Sequence, residues 1–68
     1  MTVRELCRVL IPQYTGSHVV FQIEQQPILG VNRGHFVSLQ LNDPRFEQIL
    51  DIEVIAIGTS NNRVVIYV

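Results

Sequence analysis

Lysine is absent from this chain, cysteine occurs once, and apolar runs are short. Each shortage excludes something. A single thiol, Cys7, rules out an internal disulfide, and its distance in sequence from His18 and His35 does not suit a metal cage. The basic residues are Arg4, Arg8, Arg33, Arg45 and Arg63, scattered through a chain of net charge −1. Nucleic-acid binding by charge is disfavoured, because neutralising phosphates needs a concentrated basic footprint. No apolar stretch reaches the roughly 18 residues of a membrane span, and no basic segment precedes an apolar core at the N-terminus. Cytoplasmic residence and a reducing compartment are therefore the expectation.

What is present is apolar and β-branched. Hydrophobic residues make up 47% of 68 residues, with valine and isoleucine dominant, a bias toward pleated and buried surface. A domain this small buries only about 60% of the surface its unfolded chain exposes. Folds of this size usually add disulfides, a metal or partner subunits. With no metal, cofactor or disulfide indicated, partner subunits are what remains.

The opening T-V-R-E can form a capping box, Thr2 with Glu5. Val3, Leu6, Val9 and Leu10 follow at helical spacing, Cys7 flanks that stripe, and Pro12 ends it. Residues 18–24 alternate, with Val19, Phe21 and Ile23 on one side, and predict a half-buried strand. Residues 28–31 suggest a short return strand whose glycine marks a bulge or close approach, and 36–41 a third strand. At Asn42-Asp43-Pro44 an Asp cap and a proline in the first helical position start a second short helix, with Phe46, Ile49 and Leu50 on one face.

The last nineteen residues, from Leu50 to Val68, read as a hairpin turning at Asn61-Asn62. That register pairs Ile57 with Ile66 and Ile55 with Val68 on one face, and Ala56 with Tyr67 and Gly58 with Val65 on the other; a three-residue loop would change the shared faces. The expected fold is α+β, one domain over 1–68. It comprises a small, mostly antiparallel sheet of four to five strands, an N-terminal helix, and a second short helix before the hairpin.

Both hairpin faces are apolar. One (Ile55, Ile57, Val64, Ile66, Val68) is expected beneath Leu6, Val9 and Leu10. The other shows Val54, Val65 and Tyr67 around Ala56. Burying three such side chains stabilises by roughly 5–9 kcal/mol, as much as a whole domain's stability. Val54, Ala56, Val65 and Tyr67 are thus the expected oligomer interface, the alternative being a sheet that curls over both faces within one chain.

No catalytic signature is present: no phosphate loop, HExxH, nucleophile elbow or CxxC. Asp51 and Glu53 read as a solvated edge rather than a catalytic pair. The most ligand-like stretch is Arg33-Gly34-His35, where an arginine fork beside a free backbone suits phosphate or carboxylate. Tyr14 offers a ring for stacking, and Arg45 a second cation.

The order T-V-R-E-L…V-L, then alternating strands, then I-L-D-x-E-V-x-x-I ending in V-V-I-Y-V, resembles small phage- and prophage-associated proteins of Gram-positive bacteria. The resemblance covers the first ten and last twenty residues and carries no catalytic residue. It implies a non-enzymatic homo-oligomer acting by binding, such as a phage inhibitor of host defence that takes a host protein or sequesters a small nucleotide. The alternative is a structural or regulatory subunit adding a strand to a larger partner.

Overall fold

The structure, a computed structural model, describes residues 1–10, 18–40, 42–60 and 63–68. Its helix, α1 (Val3–Leu10), starts where the capping box places it. Glu5 N–H donates to Thr2 Oγ1 (3.3 Å), and Thr2 N–H to Glu5 Oε1 (2.9 Å). Those bonds from Thr2 hold the Glu5 carboxyl below its ordinary range. The first turn of any helix leaves backbone donors without intrahelical partners. Here Val3 N–H donates to Ile52 C=O (2.9 Å) and Arg4 N–H to Leu50 C=O (2.8 Å). The helix is thereby pinned end-on to a segment some fifty residues downstream.

Its buried stripe is Val3, Leu6 and Cys7, all 6% exposed or less. Val9, expected in that stripe, is 62% exposed. At 3.6 residues per turn it lies about 120° around the helix from Val3, outside the buried arc. Cys7, expected at the flank, sits within the stripe, and burial pushes its thiol pKa up. A buried neutral thiol is inert. Ellman's reagent is therefore expected to label Cys7 about tenfold or more slowly in the native protein than in denaturant; equal rates would contradict this packing.

The strands are β1 (His18–Gln22), β2 (Phe36–Gln40), β3 (Ala56–Ser60) and β4 (Arg63–Tyr67), in the sheet order β2-β1-β4-β3. β1 pairs antiparallel with β2 and β3 antiparallel with β4, but β1 and β4 run parallel, Phe21 beside Ile66. The sheet is therefore mixed, and it has four strands among the described residues. From Ala56 onward the hairpin register is the expected one, with Ile57 opposite Ile66, Ala56 opposite Tyr67 and Gly58 opposite Val65. The expected pair of Ile55 with Val68 does not form, because Ile55 N–H bonds to Tyr67 C=O instead. The reversal at 61–62 lies outside the described residues.

Alternation sends Val19, Phe21, Leu39 and Ile66 to an inner face, where they meet Val3, Leu6, Cys7, Phe46 and Ile49 in one core cluster. Phe21 and Phe46 meet edge to face, 5.6 Å between ring centroids.

The second helix is a single 3₁₀ stretch, Pro44–Gln48. Asp43 caps it, accepting from Arg45 N–H at 2.9 Å. Successive bonds, Phe46 N–H to Asp43 C=O and Ile49 N–H to Phe46 C=O, span three residues, and so short a run does not nucleate an α-helix. Its apolar face is nonetheless as expected: Ile49 and Phe46 are buried and Leu50 packs on the core.

The return strand expected at residues 28–31 is instead a reverse turn. Ile28 and Val31 exchange both backbone hydrogen bonds (2.9 and 3.1 Å), with Leu29 at φ 57° and Gly30 at φ 73° between them. Two positive φ values define a type I′ reversal. Four residues of apolar sequence do not separate a strand from a turn.

Candidate interaction surface

β3 is one edge of the sheet, and no residue of β3 belongs to the core cluster or to the apolar residues packed against it. Ile55 is 54% exposed and Ile57 51% exposed. Both were expected beneath α1. The core cluster that Val3, Leu6 and Cys7 of the helix join holds neither isoleucine; the side chain of Leu10, also expected over this face, lies outside the described residues. Strand β3 is thus held to the molecule by its ladder to β4.

Edge strands in monomeric proteins are commonly blunted by charge, proline or a covering element. From Val54 to Ser60 the chain carries no charged residue and no proline. The opposite edge differs. On β2, Leu39 is buried in the core, Val37 packs against it, and the 3₁₀ segment lies alongside. Phe36, at the start of β2, is 58% exposed on the outer face.

The four residues expected to form an interface are not one exposed patch. Ile55 N–H donates to Tyr67 C=O (2.8 Å), the residue that Ala56 already pairs with. Two residues against one make a bulge, which shifts the alternation upstream. Val54 consequently turns to the core side and is half-buried there. Val65, on the outer face, is only 2% exposed. The Tyr67 ring is half-buried and leans over Gly58, where an added Cβ would lie 3.2 Å from its Cε2. Ala56 is exposed between the two isoleucines.

Arg33 and His35 flank Gly34 in a single turn. Gly34 N–H donates to Ile23 C=O (2.6 Å) and Ile23 N–H to His35 C=O (3.0 Å), so two residues again oppose one. With Gly34 at φ 85° this is a G1 bulge, and His35 N–H closes the turn on Asn32 C=O at 3.2 Å. Arg33 and His35 are both exposed there, and His35 and Phe36 line a shallow hollow of about 300 Å³. Arg45 does not line it. Its guanidinium is committed to Asp43 (2.8 Å), and that contact holds the Asp43 carboxyl below its ordinary range. Tyr14 lies outside the described residues.

A larger cleft, about 480 Å³, opens between residues 25–28 and 51–53 beside Val68. Gln25 Nε2 spans its wall, donating to Val68 C=O (3.2 Å) and Glu53 C=O (3.4 Å). Its two carboxylates are exposed and ion-paired: Asp51 with Arg4 Nε (3.3 Å) and Glu53 with the Met1 ammonium (2.8 Å). Sequence reasoning missed Ile55 and Ile57 as surface residues; the signal available was the charge-free, proline-free run around them.

No described helix is long and apolar enough to cross a membrane. Comparison with protein-family models, with curated proteins and with solved structures finds no match to this chain.

Proposed function

We propose that this chain is a non-enzymatic binding protein that works by self-association. One observation carries the reading: among the described residues no side chain of β3 joins the core, and Ile55 and Ile57 are half exposed along a run, 54–60, that carries no charge. Exposed apolar side chains at an unblunted edge favour association. Light scattering on the purified protein tests it. A mass above that of the single chain at micromolar concentration is expected, and a monomer throughout that range overturns the reading.

A second reading, strand addition to a larger protein partner, is favoured by the same free edge, since main-chain hydrogen bonds give such complexes much of their affinity. Co-purification with one protein at fixed stoichiometry supports it. Sequestration of a small nucleotide rests on Arg33 and His35, exposed together on the bulge beside the hollow. Native mass spectrometry of protein taken from cells checks that part by its retained mass.

A further inference from the structure

We propose that the occupant of the β3 edge is a second copy of this chain, paired antiparallel, β3 against β3, about a two-fold axis. This deepens the self-association reading, on which it rests, by assigning the edge and the symmetry. The two sheets then run on as one, with both β3 strands at its centre.

Several features of β3 suit a copy of itself. Alternate residues of an edge strand direct their N–H and C=O groups outward, and an antiparallel copy of the same strand answers donor with acceptor. The run from 54 to 60 is neutral and the whole chain carries a net charge of only −1, so two copies approach without repulsion. A strongly charged partner finds no complement along this strand. Centring the axis at Ile57 brings the two Ile57 side chains side by side on the inner face; Ile55, displaced from that face by the bulge, lies beyond each end of the join. The outer-face positions there, Ala56 and Gly58, are small, and the ring over Gly58 is Tyr67 of the same sheet.

Symmetry selects β3 with β3. Pairing β3 with the β2 edge of another copy is head to tail, which builds rings or open filaments and leaves no two-fold dimer. Of the apolar side chains of β2, Leu39 is buried in the core and Val37 packs against it, while Phe36, at the start of the strand, stays exposed on the outer face. An edge of five residues is small against the roughly 1,200–2,000 Å² that stable complexes bury, so the dimer is expected to be reversible in the micromolar range.

Sedimentation of the full chain over a concentration series tests this, comparing wild type with Ile57→Lys and, at the other edge, Ser38→Lys. Wild type is expected to show a monomer–dimer equilibrium. Ile57→Lys should weaken it tenfold or more, equivalent to ~1.4 kcal/mol, and Ser38→Lys should leave it unchanged. A dimer that survives Ile57→Lys overturns the β3 assignment while self-association stands. A wild type that never leaves the monomer overturns both.

Hydrogen exchange on the unmodified protein gives an independent reading should Ile57→Lys fail to fold. Amides of 56–60 should gain protection as concentration rises while those of 36–40 do not; the reverse pattern overturns the proposal. Protection of 56–60 only in complex with a different protein likewise overturns the second copy as occupant.

Discussion

Phe21→Ala is expected to leave the protein largely unfolded at room temperature. Phe21 is fully buried in β1, an inner strand, flanked in register by Val37 on β2 and Ile66 on β4 and meeting Phe46 edge to face. Truncating such a phenylalanine costs about 3–5 kcal/mol, transfer and cavity terms together. A domain of 68 residues has a total stability of roughly 3–10 kcal/mol on the usual per-residue scale. The loss is therefore of the same order as the whole. Urea denaturation followed by circular dichroism measures it, with Phe21→Leu expected in between. A change below about 1 kcal/mol for the alanine variant would contradict the position of Phe21 in this core.

Gly34→Val is expected to destabilise by about 1–3 kcal/mol and to do so without any clash. A Cβ at Gly34 meets nothing within 4 Å, so the cost arises at the backbone, from holding a β-branched residue at φ 85°. The neighbouring bonds leave little room to relax, since Ile23 donates to and accepts from the two bulge residues. Leu29, at φ 57°, shows what an ordinary residue needs to remain there. Its side chain packs on the core, and that burial offsets a left-handed conformation costing about 1–2 kcal/mol. An exposed valine at position 34 has no comparable compensation. Thermal melts of Gly34→Val and Gly34→Ala, both below wild type with valine the lower, check the argument; an unchanged melting temperature for valine would refute the bulge.

The features that sequence reasoning recovered are those decided within three or four residues. Thr2 with Glu5, Asp43 with Pro44, and the hairpin register around 61–62 each follow from groups close enough in the chain to meet regardless of the rest. What escaped was decided at long range. Nothing local to Val3 and Arg4 says that their N–H groups end on Ile52 and Leu50. Nothing in the alternation of residues 18–24 says that β4 will lie parallel beside them.

That placement settles which strand is left at the edge, and so which isoleucines stay uncovered. Ile57 and Ile66 look equivalent as sequence, yet Ile66 is fully buried and Ile57 half exposed, because β4 is inside the sheet and β3 is not. The bulge at Ile55 likewise reversed the side on which Val54 falls. Of the residues proposed to meet a ligand, Arg33 and His35 flank Gly34 in one tight turn, as their adjacency in sequence dictates, whereas the pairing of Arg45 with Asp43 shows only in the structure.

Strand β4 also governs when the fold can form. Val20 and Val65 are 45 positions apart in the chain and adjacent in the sheet (65 − 20). Contacts of that separation place the domain among slow folders, because loop-closure entropy is lost before the pairing returns anything. During synthesis β1 and β2 are made early, but the second edge of β1 has no neighbour until residues 63–67 exist, and β3 in that interval has nothing to bond to at all. β4, the latest of the four described strands in chain order, is the joint between the two halves of the sheet. A cut before Arg63 would not trim this domain; it would leave a β1–β2 hairpin and a lone β3 with no ladder between them.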